Sequence, residues 1–418
     1  MKKAVMYGAG NIGRGFIGQL FWESGYDVVF IDVNMEIINK LNSAGEYPVE
    51  ILAGEGSREI TVTGVRGVDG RDINQVADEI ADAEIMATAV GANVLPKIAG
   101  TIAEGLKKRW QSGRMDPFNI IICENLLNAD RLLAGFIRQE LDDAGRGHFD
   151  KLVGLVEASI GRMVPVMTPE MQKGNILRIC VEEYSELPVD KDGFRGEIPA
   201  VKNMVPAAPF SFYIRRKLFI HNMGHAMTAY LGKIKGYKYI WEAIGDPFIN
   251  LAVLRAMLDS ARALSLEYGV RLEDIMDHVE DLIYRFGNRQ LGDTVNRVGN
   301  DVKRKLSAND RLVGAAQLCL SHGINPVNIC LGIAAAMKFD SADAELKGAG
   351  DIIKDKGPEG VLSGICGISE GSPIYGMIFD LYQMLDNHTY ININPVIEKT
   401  AEIRAHKTIT SRSGIIVL

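Results

Sequence analysis

Lys217, Asn222 and His225 fall in one short segment, Arg215-Arg216-Lys217-Leu218-Phe219-Ile220-His221-Asn222-Met223-Gly224-His225-Ala226, whose apolar residues recur at roughly helical spacing. At about 100° per residue the three lie within an arc of roughly 140°. Asn222 and His225 are i,i+3 neighbours that can act together. An amine, a carboxamide and an imidazole on one apolar-framed face suit alcohol oxidation. Hydride leaves an alcohol carbon easily only after the hydroxyl proton has gone. A lysine takes that proton when burial and nearby cations bring its pKa toward neutral. A carboxamide steadies the developing alkoxide, and the imidazole holds a substrate hydroxyl. Arg215 and Arg216 are the cations nearest in sequence. Taken alone, the stretch reads first as an amphipathic helix with a solvated Lys, an interhelical Asn and a core-edge His.

Two other chemistries share this spacing. Tyr213 and Lys217 form a YxxxK, the pair used by short-chain dehydrogenases. Those chains are typically much shorter and carry the pair inside the nucleotide domain, so Tyr213 is read as incidental. His221 and His225 have the i,i+4 spacing of a zincin helix, but Asn222 stands where that motif needs its Glu. No metal is expected. Cys319 and His322 make a lone CxxH without a second half.

The elements that must deliver a cofactor begin at the N-terminus. Ala4 to Tyr7 is a short apolar strand that runs into Gly8-Ala9-Gly10-Asn11-Ile12-Gly13 and then a helical stretch. A second strand, Asp27 to Ile31, ends at Asp32, 19 residues after the last glycine. In this strand–turn–helix–strand context the first glycine permits the tight turn. The second lets the backbone approach a pyrophosphate, and the third allows close helix–strand packing. Asp32 would accept hydrogen bonds from the adenosine ribose and repel a 2′-phosphate, which favours NAD over NADP.

Further α/β units follow. Ile60 to Val65 alternates as one strand, Glu84 to Val90 is a buried strand, and Leu95 to Trp110 is helical. Asn119 to Asn125 is another buried strand. Ligands of doubly wound sheets bind beyond the carboxyl ends of the strands, so Glu124 and Asn125 fall where a nicotinamide or substrate belongs. Asn125 also reads as a simple helix cap. Leu152 to Ala158 is one more strand, and Asn175 to Leu187 alternates and is expected to extend the sheet, with antiparallel pairing open to it. Asp190 to Pro206 is rich in Gly, Pro and charge and marks a domain boundary. Helical texture then covers 209–234, 238–268, 272–287, 308–321, 324–338 and 373–385. Between them lies a basic run of Arg285, Arg289, Arg297, Lys303, Arg304, Lys305 and Arg311, either a solvated face or an anion site. The last residues, from Asp386, turn toward β-formers. They end in the apolar Ile415 to Leu418, an arm packed on the body or on a neighbouring subunit.

Bulk properties agree with an ordinary soluble enzyme. The 418 residues allow two or three domains, and a net charge of -7 gives no hint of a nucleic-acid partner. The five cysteines are scattered and odd in number, which argues for reduced thiols. The first apolar run is too short for a signal peptide and no run approaches a membrane span, so a cytoplasmic location is expected.

Together, GAGNIGRGFIG (Gly8 to Gly18), TAVG (Thr88 to Gly91), CEN (Cys123 to Asn125), RKLFIHNMGHAMTAYLGK (Arg216 to Lys233) and RKLSANDRL (Arg304 to Leu312) resemble the polyol-specific long-chain dehydrogenases, the mannitol dehydrogenase family. The similarity runs from residue 1 to about 385. It implies an α/β protein: a Rossmann-type doubly wound domain over 1–200, a largely helical substrate domain over 201–385, and an active site in the cleft between them. The extension 386–418 has no counterpart. The resemblance implies metal-free, NAD-dependent interconversion of D-mannitol 1-phosphate and D-fructose 6-phosphate. It assigns the general base to Lys217, oxyanion and substrate contacts to Asn125 and Asn222, and a substrate clamp to His225. Arg297 and Lys305 become substrate or phosphate contacts. Cofactor contacts go to Gly8, Gly10, Asn11, Ile12, Gly13, Asp32, Val90 and Asn125.

The chain departs from the family at two places. Gly161 stands where a substrate-facing Asp is usual, with Glu157 nearby to compensate, and His221 stands where an apolar residue is expected. These leave room for another polyol or sugar-acid derivative as substrate. An NAD-sensing protein without turnover is the alternative from a different class. A monomer or small homo-oligomer suits either reading.

Overall fold

Strand alternation sets the core of the N-terminal half. Ala4, Met6, Val28 and Phe30 point to one side of a sheet, and Val5, Tyr7, Val29 and Ile31 to the other, each side closing a separate apolar cluster. A sheet buried on both faces needs near-continuous apolar strands, which is why these runs read so plainly. The computed structural model describes residues 2–54, 56–126, 128–340, 349–387, 398–400, 410–411 and 414–415. Its packing separates two units, Met1–Ser211 and Phe212–Leu418.

In the first unit the strands are β1 (Lys2–Tyr7), β2 (Tyr26–Asp32), β3 (Glu46–Ala53), β4 (Gly56–Thr63), β5 (Val65–Asp69), β6 (Ile85–Thr88), β7 (Phe118–Ile122), β8 (Val153–Glu157), β9 (Ile179–Glu182), β10 (Leu187–Asp190) and β11 (Met204–Ala207). Six of them form an all-parallel sheet in the order β5-β2-β1-β6-β7-β8. This is the expected doubly wound sheet. The order reverses between β1 and β6, so the ligand crevice opens at the carboxyl ends of those two strands.

Three strand expectations need correction. The single strand expected over Ile60 to Val65 is broken at Gly64, whose φ of 66° turns the chain. β4 pairs antiparallel with β3, and β5 joins the main sheet beside β2. The stretch 175–187 does not extend the main sheet. β9 pairs in parallel with β3 in a separate three-stranded sheet, and β10 pairs in parallel with β11. The strand expected to reach Asn125 stops at Ile122. Helices Met35–Ala44 and Ile73–Asp82 escaped the sequence reading, although Asn34 and Asp72 cap them with side chains that accept from backbone N–H groups.

The second unit is helical. One continuous helical stretch runs from Ser211 to Ile234, in three parts considered below. The long helix expected over 238–268 is two, Ile240–Gly245 and Pro247–Tyr268. Asp246 accepts from the N–H of Phe248 and Ile249, and Pro247 stands in the first turn where its missing N–H costs nothing. Leu272–Phe286, Val313–Ser321, Val327–Met337 and Pro373–Asn387 follow. Every residue of Val327–Met337 is buried. Helix Ala349–Gly364, interrupted at Gly357 and Pro358, was not expected. In the tail, residues 398–400 are helical and Thr410–Ser411 pairs antiparallel with Gly414–Ile415. The rest of the expected terminal arm lies outside the described residues. Among the described residues no helix is long and apolar enough to cross a membrane.

Candidate active site

At the end of β1 the chain turns through Gly8, whose φ of 106° suits glycine. A Cβ there would lie 2.4 Å from the Ala89 carbonyl oxygen, and one on Gly13 would lie 1.9 Å from that of Gly8. The turn is therefore closed by backbone on both sides and tolerates no side chain at either position. Around Gly10, by contrast, a Cβ would meet nothing within 4 Å. That is open space of the kind a pyrophosphate fills. Asn11 and Ile12 begin the helix, and Gly13–Ile17 continues it as a π turn.

Asp32, at the carboxyl end of β2, accepts from the N–H of Ala9 at 2.7 Å and of Asn34 at 2.9 Å. One carboxylate thus ties the glycine turn to the next loop. A carboxylate at the end of β2 can accept from ribose hydroxyls, so the residues present fit a dinucleotide. Arg14 was missed from sequence. It is buried beneath the turn and donates to the carbonyls of Ala9 (2.7 Å) and Leu177 (2.6 Å).

Beyond β6 and β7, Glu124 and Asn125 separate in role. Glu124 is buried, and its two oxygens accept from the N–H groups of Val90 (2.9 Å) and Gly91 (2.8 Å). The Val90 amide is therefore already occupied by protein. Asn125 is exposed and leaves its carboxamide accessible. It is not the cap of helix Ala129–Gln139. Glu157, from the end of β8, accepts there from the Ala129 N–H at 2.8 Å. Burial first, and Asp130 next, hold the Glu157 carboxyl above its ordinary range. At Gly161 a Cβ would lie 3.1 Å from the Tyr184 ring.

In the second unit, Lys217–Asn222 is a π turn between helices Ser211–Arg216 and Met223–Ile234. A π turn closes i→i+5, so Asn222 stacks about one turn above Lys217. Uniform α geometry would leave them farther apart around the axis. His225 follows three residues later. Lys217, Asn222 and His225 are each half-buried.

His225 stacks on Phe286 at 5.0 Å and 14°. Its Nε2 faces Asp293 Oδ2 at 3.5 Å. Burial pulls its pKa down to about 4; Asp293 opposes this, while Arg297, Lys305 and Arg311 add to it. The ring is therefore neutral at neutral pH and offers one donor and one acceptor. His221 is buried against the same Phe286 at 5.8 Å, its pKa pushed well down by burial and then by Arg285. Arg215 and Arg216, the expected nearby cations, are engaged elsewhere. Arg215 pairs with Glu267 at 2.9 Å, and Arg216 lies over the Tyr213 ring at 4.7 Å.

Much of the basic run is paired. Arg297 is exposed and pairs with Asp293. Arg285 pairs with Asp281 at 3.1 Å, Arg304 with Asp310 at 3.2 Å, and Arg311 with Asp310 at 2.7 Å. Lys305 is the exception in kind. It is buried, donates to the Val298 carbonyl at 2.5 Å, and burial together with Arg311 and Arg304 draws its pKa to about 7. Asp293, Phe286 and Arg311 were not singled out as partners of His225. They lie 61 to 86 residues beyond it, and no local spacing joins them. His322 of the lone CxxH faces Glu267 at 2.9 Å, and all five cysteines are buried thiols.

The two units match two family models in succession. The mannitol dehydrogenase Rossmann domain covers residues 2–203 and the mannitol dehydrogenase C-terminal domain covers 210–358. A mannitol-1-phosphate 5-dehydrogenase of Bacillus licheniformis is 39% identical over 377 residues, covering 90% of this chain and 98% of that one. One of Brevibacillus brevis is 38% identical, covering 89% and 95%. Among solved structures, a substrate-free D-sorbitol dehydrogenase superposes with a TM-score of 0.77 at 15% identity, covering 95% of each chain. The Pseudomonas fluorescens mannitol 2-dehydrogenase, solved with NAD and D-mannitol, superposes with 0.71 at 15% identity, covering 97% and 95%. A glycine turn backed by Asp32, followed by a helical unit carrying Lys217, Asn222 and His225, is thus matched along nearly its whole length, and the chain belongs to the mannitol dehydrogenase family.

Proposed function

We propose that the protein is a metal-independent, NAD-dependent dehydrogenase that interconverts D-mannitol 1-phosphate and D-fructose 6-phosphate. The observation that carries this reading is the 39% identity over 98% of a mannitol-1-phosphate 5-dehydrogenase. Asp32 supports NAD over NADP, since its carboxylate is held at the glycine turn where a 2′-phosphate would meet it. When bound, the nicotinamide supplies the acceptor for a hydride.

The chain's own residues do the rest. Lys217 takes the hydroxyl proton of the alcohol as its carbon gives up hydride, leaving a carbonyl. Asn222, one π turn above, donates to the oxygen while it carries negative charge. Neutral His225, oriented by Asp293 and Phe286, holds a neighbouring hydroxyl. Asn125, exposed three residues past the carboxyl end of β7, is the proposed contact to the nicotinamide and the reacting oxygen. Arg297 and Lys305 are the proposed contacts to the charged end of the substrate.

A second reading keeps the reaction and changes the substrate to another polyol or a sugar-acid derivative. Gly161 favours it, because the usual carboxylate is missing and Tyr184 crowds the place where a side chain would start. Glu157, the acid the sequence offers in compensation, accepts instead from the Ala129 N–H at a helix start. Following NADH absorbance with D-mannitol 1-phosphate and with D-mannitol separates the readings. The first expects turnover of the phosphorylated substrate at low concentration and little of the other. Equal kcat/KM for both would remove the phosphate from the reading.

A further inference from the structure

Glu124 carries a negative charge that no residue role described so far employs. It is 8% exposed, and its described partners are two consecutive backbone N–H groups, Val90 at 2.9 Å and Gly91 at 2.8 Å. Both amides lie just past the carboxyl end of β6, and Glu124 lies just past that of β7. The segment it grips is packed against the glycine turn. Ala89 donates to the Tyr7 carbonyl at 2.9 Å, and its own carbonyl oxygen would lie 2.4 Å from a Cβ on Gly8. Cys123, beside Glu124, donates to the Thr88 carbonyl at 2.9 Å. The carboxylate therefore sits in a hydrogen-bonded stretch of chain on the β6–β7 side of the switch point.

Asp32 fixes which end of a dinucleotide lies where. It marks the adenosine ribose at the end of β2, and β7 is three strands away, about 14 Å at normal strand spacing. The other end of the cofactor, the nicotinamide, then lies over β6 and β7. The oxidised nicotinamide ring is cationic and the reduced ring is neutral. We propose that Glu124 is a positioning and redox-selecting residue: it holds the Val90–Gly91 segment in shape and favours the oxidised cofactor over the reduced one. This rests on the NAD reading above. By Coulomb's law at an effective dielectric of about 20, a unit negative charge within about 10 Å of a cationic ring favours it over a neutral one roughly tenfold or more.

The test is the ratio of two dissociation constants, for NAD and for NADH, measured by calorimetry on the full chain without substrate. Glu124→Gln removes the charge and turns one of its two acceptors into a donor facing an N–H. Both forms should bind less tightly, and NAD should lose about tenfold more than NADH. Glu124→Asp keeps the charge and shortens the reach, so both forms should weaken with the ratio near the parent value. A parent ratio preserved in Glu124→Gln overturns the proposal, because a purely structural role weakens both forms alike. Should Glu124→Gln bind too weakly for calorimetry, the ratio for that same variant is read from the shift of its thermal midpoint at millimolar NAD and NADH, and a ratio unmoved from the parent value there overturns the proposal equally. If the parent chain binds neither form, the NAD reading fails instead.

Discussion

The helical unit should lose stability as the solution turns mildly acidic, and His225 gives the size of the effect. Three imidazoles gather there. His221 and His225 lie 6.3 Å apart between ring centres, both against Phe286, and His278 acts electrostatically on His221. Burial lowers each pKa first. Arg285 adds to the shift at His221, and Arg216 and Arg285 add to it at His278. At His225 the opposing carboxylate of Asp293 does not outweigh burial, and the pKa falls from 6.5 to about 4. Above pH 6.5 the ring is neutral whether the chain is folded or not, and pH has no purchase on it. As pH falls from 6.5 toward 4, the unfolded ring takes a proton that the folded ring refuses, so stability drops, and the loss is complete below about 4. At about 1.4 kcal/mol per unit, moving from pH 6.5 to 5 removes roughly 2 kcal/mol through His225 alone. With its side chain 17% exposed, solvent screens little of this. Trp241 is the tryptophan of the helical unit, so Trp22→Phe with Trp110→Phe leaves a reporter there. Urea midpoints by Trp241 fluorescence at pH 7.5 and 5 should differ in the parent by about 1 M more than in His225→Asn, for a typical slope near 2 kcal/mol per M. An equal drop in both would refute a neutral, buried His225.

Three further outcomes follow from the same geometry. Lys217→Ala should cut turnover by roughly 10² to 10⁴-fold while NADH binding, read by fluorescence titration, stays close to the parent; unchanged turnover removes Lys217 as the base. Asp32→Ala frees the Ala9 amide and removes the charge facing a 2′-phosphate, so kcat/KM with NAD should fall roughly 10- to 100-fold while that with NADP rises. A preserved preference for NAD would place cofactor selection elsewhere. Gly161→Asp should cost about 1 kcal/mol in stability by thermal melting, because its Cβ starts 3.1 Å from the Tyr184 ring and that ring must yield. If the missing carboxylate defines the substrate, the ratio of kcat/KM for mannitol 1-phosphate over mannitol should change with it; an unmoved ratio acquits position 161.

The parts of the fold legible in the sequence are those a local rule encodes. Buried parallel strands announce themselves as apolar runs, and the glycine turn ending at Asp32 is a contiguous pattern with a physical reason at each position. Gly64 defeated the same reasoning, since alternation continues across it while the backbone turns from one sheet to another. Glu124 was placed near the ligand by its position at a strand end, but its grip on Val90 and Gly91 depends on two strands 34 residues apart becoming neighbours. Asp293 and Phe286 reached His225 in the same non-local way.

The π turn is the more instructive miss. Counting at 100° per residue placed Lys217 and Asn222 at opposite edges of an arc of roughly 140°. The structure closes that gap by widening the helix, so that the Lys217 amine and the Asn222 carboxamide stack along its axis. A π turn trades the regular i→i+4 bonds for a longer closure, and nothing in the residue types from Lys217 to Asn222 announces that exchange. What the exchange does is align Lys217 with Asn222, a juxtaposition that the periodicity of the segment misjudged.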